Sequence, residues 1–220
     1  MVRKARLIVN LLMLIAVVSL TTFMYVFAAR GVGTLSEYTI SFISPYCFFI
    51  DSEDLNVQMK KQAQNNITSY TQVDNTIQHI VFDSWDDATY GTMFNWDTSS
   101  NANVDATNNA NIRLMYDNSS RTVYVLSKSL IAVSTCNSMF HNFTVLIDVD
   151  FRNFNSIEAT THANMFASCS NLTNILNQQN LSANTSSMFE NCSSLTSIDA
   201  SHYKTPNVTN MSSIFKNCIK

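Results

Sequence analysis

Between residues 139 and 218 the apolar positions fall into columns. Met139-Phe140, Met165-Phe166, Met188-Phe189 and Ile214-Phe215 recur at intervals of 26, 23 and 26 residues. Three residues after each Phe stand Phe143, Cys169, Cys192 and Cys218. Three further on come Leu146, Leu172 and Leu195, then Val149, Ile175 and Ile198. Self-similarity at a fixed period is the signature of a repeat architecture. Val208, Met211, Ile214, Phe215 and Cys218 are spaced by three or four, which predicts a short helical turn with Thr209 or Asn210 as its cap. Leu195, Ile198 and Ala200 then lead into an extended run, so one repeat reads as a turn of helix and a short strand. Such a unit is too small to bury its own apolar face. The pattern therefore predicts a stack in which the columns form the shared core and parallel strands lie about 4.8 Å apart.

Upstream the patterns change. Residues 112–116 and 122–126 alternate apolar and polar positions across Asp117-Asn-Ser-Ser, which predicts a β-hairpin. Residues 38–50 are rich in β-formers but carry Pro45, so they read as an edge strand or strand pair. Residues 54–67 have helical composition, with Leu55, Val57 and Met59 only partly on one face. The polar stretch 99–111 reads as a loop.

The first apolar run is of another kind. Residues 7–29 contain no charged side chain and are long enough to cross a hydrocarbon core as a helix. Arg3, Lys4 and Arg6 precede the run, which predicts a cytoplasmic N-terminus and an exported remainder. Retention as an anchor and cleavage as a signal, with Val26-Phe-Ala28 as the processing site, both fit. The predicted organisation is a signal peptide or anchor at 1–30, an exported region of uncertain fold at 31–110, the hairpin at 111–132 and the repeats at 133–220.

Composition narrows the chemistry. Charged residues make up 13% of the 220 residues, and there are only 3 glycines and 2 prolines, so turns must rely on Asn, Asp and Ser. Four of the 13 Lys and Arg residues flank the N-terminal run, leaving 9 against 16 acids elsewhere. No basic patch remains for nucleic acid. Asp83, Asp86, Asp87 and Asp97, with Trp85 and Trp96, suggest a calcium or carbohydrate site within 68–111, but EF-hand spacing is absent. The cysteines at intervals of 23 and 26 match no compact metal motif and read as buried thiols. His79, His141, His162 and His202 are scattered. No nucleophile lies on a recognisable catalytic turn, and the expectation is a non-enzymatic chain without cofactor or metal.

The stretches MFASCSNLTNI, MFENCSSLTSI and NVTNMSSIFKNC resemble the BspA-like leucine-rich repeat surface proteins, a bacterial family with the repeat MFxxCxxLxxI. The resemblance covers about 111–220. It implies an α+β fold, a short leucine-rich-repeat-like solenoid displayed at the cell surface. It also implies adhesion to a host or cell-surface protein or matrix component. The variable positions Arg152, Asn153, Asn155, His202, Tyr203 and Lys204 are the expected contacts. A structural spacer without its own ligand is the alternative. The chain departs from the family at Phe143, which replaces the first ladder cysteine. It also ends at Lys220, which predicts an incomplete last repeat.

Overall fold

The computed structural model describes residues 46–48, 51–86, 88–91, 102–103, 112–156, 159–177, 181, 183–199 and 208–219. All lie in the unit Pro45–Lys220. The expected membrane-spanning run at 7–29 lies outside the described residues. No helix among those described is long and apolar enough to cross a membrane.

Among the described residues the strands form three sheets. The largest holds β2 (His79–Ser84), β3 (Ala102–Asn103), β4 (Ile112–Asp117), β5 (Thr122–Ser127), β7 (Asp148–Asp150) and β9 (Asn174–Leu176), in the order β3-β4-β5-β2-β7-β9. β4 and β5 form an antiparallel hairpin, with Ile112 opposite Ser127 and Asp117 opposite Thr122. The Asp117 carboxylate accepts from the Ser119 backbone and from the Ser119 and Ser120 hydroxyls at 2.6–2.9 Å, which fixes the turn. β5, β2, β7 and β9 are mutually parallel. A second, all-parallel sheet joins β1 (Tyr46–Phe48), β6 (Leu130–Ala132) and β8 (Phe154–Asn155). A third pairs β10 (Ala183–Asn184) with β11 (Val208–Asn210).

The expected α+β solenoid is corrected by this architecture. The regular structure among the described residues is mostly sheet, and the principal sheet is mixed. The one α-helix among them, α1 (Ser52–Ala63), lies outside the repeats. Val208, read as part of a helical face, belongs instead to β11. The reason no repeat is helical is local. Each Met-Phe or Ile-Phe pair is flanked by residues with positive φ: Ser138 and Asn142, Asn164 and Ser168, Ser187 and Asn191, Ser213 and Asn217. A left-handed residue ends a right-handed helix, and Asn tolerates that region better than most residues with a Cβ. The three-and-four spacing of the columns is produced by successive tight turns.

Those turns are tied together by backbone bonds of one direction. The amides of Cys136, Ser138, Phe140 and Asn142 donate to Thr161, Ala163, Met165 and Ala167 at 2.8–3.0 Å. The amides of His162, Asn164, Phe166 and Ser168 then donate to Asn184, Ser186, Met188 and Glu190. Thr185, Ser187, Phe189 and Asn191 in turn donate to Asn210, Ser212, Ile214 and Lys216. The intervening amides bond three residues back within their own turn, as Met165 does to His162 and Cys169 to Phe166. Four strings of peptide groups thus run from turn to turn.

Inside the turns the phenylalanines stack. Phe140 and Phe166 lie 5.1 Å apart at 20°, Phe166 and Phe189 5.4 Å at 6°, and Phe189 and Phe215 5.5 Å at 6°. Met139, Phe140, Leu146, Met165, Phe166, Cys169, Leu172, Met188, Phe189, Cys192 and Leu195 are buried, and Ile175, Ile198 and Cys218 pack partly buried against them. Phe215, read as core, is the exception at 50% exposed.

α1 closes the other end. Asp51 caps it by accepting from the Glu53 and Asp54 amides. Its buried positions are Ser52, Leu55, Asn56, Met59 and Lys60, a stripe at helical spacing. Leu55 and Met59 meet the apolar core. The Ser52 hydroxyl donates to the Asn137 carbonyl at 2.8 Å, and the Asn56 amide to those of Ser138 and His141 at 3.0 and 3.1 Å. The Lys60 ammonium donates to Tyr70, Gln72 and His141 carbonyls at 2.7–2.8 Å and sits 4.8 Å from the centre of the Phe143 ring. Asn137 and His141 hold the places that Ala163 and Ala167 hold one turn later. Side chains of α1 therefore supply donors where a preceding turn would supply amides.

Candidate binding surface

Two surfaces carry the residues that sequence singles out. The first is the outer face of the large sheet at the carboxyl ends of β2 and β7. Alternation turns Ile80, Phe82 and Val149 into the core and leaves His79, Asp83, Asp148 and Asp150 on the other side. His79 Nδ1 lies 2.9 Å from Asp148 Oδ2. Arg152, just beyond β7, donates from Nε and Nη2 to Asp150 Oδ2 at 3.0 and 2.5 Å and from Nη1 to Asp83 Oδ2 at 3.2 Å. Asp150 Oδ1 accepts from the Asn177 side chain at 2.8 Å, and Asp83 Oδ2 from the Tyr90 hydroxyl at 2.7 Å.

Burial opposes ionisation of Asp150, but bonds from Arg152 and Asn177 outweigh it and hold its carboxyl below the usual range. Its bond to Asp150 pushes the Arg152 pKa up against burial. Burial first, then donation to Asp83, pushes the Tyr90 phenol up. The Arg152 guanidinium thus lies between the Asp150 and Asp83 side chains, and the Tyr90 hydroxyl donates to Asp83. Arg152 is held in one orientation yet remains 51% exposed at its side chain. Leu176, opposite Asp150 in the β7–β9 register, is 48% exposed.

The other expected contacts fare differently. The Asn153 side chain donates to the Ser127 hydroxyl at 3.0 Å and the Ser129 carbonyl at 3.2 Å, so it ties strands together. Asn155 lies in β8 opposite Ala132. His202, Tyr203 and Lys204 lie outside the described residues. Asp83, Tyr90, Leu176 and Asn177 join Arg152 at the patch and were not among the expected contacts. The signal for Asn177 was its place one residue after the 174–176 strand, at a turn with φ 56°.

The acidic and aromatic segment has local explanations where it is described. Asp86 accepts from the Ala88 amide and the Thr89 hydroxyl. Trp85 stacks on Tyr90 at 6.2 Å, and Tyr90, Met115 and Leu126 form a small cluster with Tyr124. Asp87, Trp96 and Asp97 lie outside the described residues. Among those described, no group of three His, Cys, Asp or Glu residues is placed to hold a metal ion.

The second surface is the far end of the turn ladder. Cys169, Cys192 and Cys218 each donate a thiol proton to the carbonyl of the Phe one turn earlier, Phe140, Phe166 and Phe189, at 3.0–3.1 Å. Burial pushes the Cys169 thiol well up and the Cys192 thiol to about 12, which suppresses the thiolate. Beyond Phe189 the cover thins: Met211 is 56% exposed, Phe215 half exposed and Ile219 82% exposed.

Residues 134–220 match a family model described as a Mycoplasma protein of unknown function, DUF285. No curated protein and no solved structure matches the chain.

Proposed function

We propose that the chain is an exported surface protein and that its 45–220 unit recognises another protein through the Arg152 patch. The observation that carries this reading is a guanidinium fixed by Asp150 and Asp83 while half exposed, with the exposed Leu176 opposite Asp150 in the neighbouring strand. Exposed, pre-ordered arginine next to an apolar side chain is a common anchor of protein interfaces. The partner offers a carbonyl or carboxylate to Arg152 and an apolar side chain to Leu176. The resemblance to bacterial surface repeat proteins and the apolar run at 7–29 support display outside the cell. Adhesion to a host protein or matrix component is the activity in keeping with both.

The test is a binding screen of the full chain against purified matrix proteins and intact host cells. Arg152→Ala and Leu176→Ser are each expected to weaken a positive interaction about tenfold, which corresponds to about 1.4 kcal/mol. A blank screen, or binding indifferent to both substitutions, removes this assignment and leaves the spacer reading.

A further inference from the structure

The seat of α1 holds a titratable ring whose charged form it does not accommodate. His141 belongs to the first turn, and its main-chain carbonyl accepts from the Asn56 side chain at 3.1 Å and the Lys60 ammonium at 2.8 Å. The ring is half-buried and T-shaped against Tyr70 at 5.9 Å, and its Nδ1 is buried with no hydrogen-bond partner. Asn56 Oδ1, on α1, is also buried without a partner, and no bond joins the two atoms. A neutral imidazole leaves Nδ1 a bare acceptor. An imidazolium carries N–H on both nitrogens, so protonation sets a donor where no acceptor waits and a second cation beside Lys60.

We propose that α1 is a releasable cap on the ladder and that protonation of His141 in mild acid lifts it. α1 holds the first turn through the side chains of Ser52, Asn56 and Lys60, whereas later turns are joined by main-chain amides. Undocking therefore breaks no peptide-to-peptide bond between α1 and that turn among the described residues. It returns Lys60 to water and opens the His141 ring to solvent. The carbonyls of Asn137, Ser138 and His141 are uncovered as a result.

The surrounding charges set the window. Burial, and then Lys60, hold the His141 pKa below its ordinary value. The cap's contribution is thus complete above about pH 6.5 and is lost as pH falls through the lowered value. Lys60, itself lowered to about 8 by burial, is an ammonium throughout that range. Asp74, from the segment after α1, works the other way: burial raises its pKa, so acid favours the docked form through it. Its opposition is limited, because the Thr76 and Ile77 amides that bond it belong to its own segment and stay when α1 lifts. Glu53 accepts from the Asn137 side chain at the other end of the seat. The Cys169 thiol beyond the first turn is pushed well up by burial and stays neutral. The cap is separate from the Arg152 patch, so either proposal stands or falls alone.

Hydrogen exchange of the full chain at pH 7.5 and 5.0, corrected for the intrinsic rate, tests the cap. Amides of 52–63 should lose protection by up to about thirtyfold at pH 5, the limit for a group of ordinary pKa about 6.5 that stays unprotonated while α1 is docked. Those of 162–168 and 185–191 should keep theirs. His141→Gln should abolish the acid response, and Asp74→Asn should preserve or enlarge it. Should the His141 variant fail to fold, the ring-proton resonance of His141 in the unaltered chain should titrate with a midpoint below 6.5. Unchanged exchange in α1, an acid response that survives His141→Gln, or a midpoint at or above 6.5 overturns the proposal. So does a loss of protection that begins at 162–168, where His162 is buried.

Discussion

The first and last turns of the ladder share a sequence pattern and differ in what covers them. At the first turn, Ser138-Met-Phe-His-Asn142 lies beneath α1, and Met139 and Phe140 are fully buried. At the last, Ser213-Ile-Phe-Lys-Asn217 has no described element beyond it, and Phe215 keeps half its surface. The backbone is the same at both ends, down to the two left-handed residues in each turn. What differs is whether a following layer accepts the turn's amides or a preceding layer supplies its carbonyls with donors. Repeats of near-identical sequence therefore need not contribute equally. Nearest-neighbour contact sets each one's share.

The largest test of this difference is a pair of truncations. Phe189→Ala should cost about 3–5 kcal/mol, since the ring is buried between two others. Phe215→Ala should cost about 1 kcal/mol or less, because half its surface is already in water. Denaturant unfolding compares them, and equal costs would show that the last turn is covered in solution.

The thiols sharpen the comparison through pH. Cys192 has its folded pKa raised to about 12 by burial, so above the unfolded thiol value of about 8.5 the unfolded chain releases a proton that the folded chain keeps. Its contribution is complete below about pH 8.5 and declines as pH rises toward 12. Cys192→Ala should flatten the decline by about 1 kcal/mol per pH unit, while Cys218→Ala, at a less buried thiol, should do much less. Lys60 works in the opposite sense. Burial lowers its pKa to about 8, and its effect on stability improves as pH rises from there toward 10.5. Indistinguishable slopes for the two cysteine variants would contradict the graded burial.

The smallest effect is the one on which both ends should agree. Backbone strain belongs to the residue itself, so Ser168→Val and Ser213→Val should each lose about 1–2 kcal/mol, and glycine at either site should stay within about 1 kcal/mol of the parent. Thermal melts of the four variants check this. A valine tolerated at Ser168 would mean that the turn is not held left-handed.

The columns of Phe, Cys, Leu and Ile were legible because only period and polarity were needed to find them. The hairpin was legible because alternation at 112–116 and 122–126 matches the two faces of a sheet. The helical reading of the repeat was not sound. Three-and-four spacing arises from tight turns as readily as from a helix, and the discriminating signal was the Ser or Asn on either side of Met-Phe. Only 3 glycines occur in the chain, so left-handed positions had to be sought under other names. α1 was obscured for a related reason. Its buried stripe alternates apolar residues with Ser52, Asn56 and Lys60, because those positions meet carbonyls rather than side chains. At the Arg152 patch the arginine was findable, but its partners come from β2, β7, the segment after β9 and the turn at Tyr90. Only folding brings them together.

The one-way bonding of the turns has an electrostatic consequence. A peptide group such as Met165–Phe166 accepts on one side and donates on the other, so its dipole lies along the stack. Four rows of such groups add up as they do along a helix, with partial negative charge at the first turn and partial positive charge at the last. Lys60 sits at the negative pole, where a cation interacts favourably with the whole array. The opposite pole is the last described turn, at Phe215, where the field favours electron-rich groups.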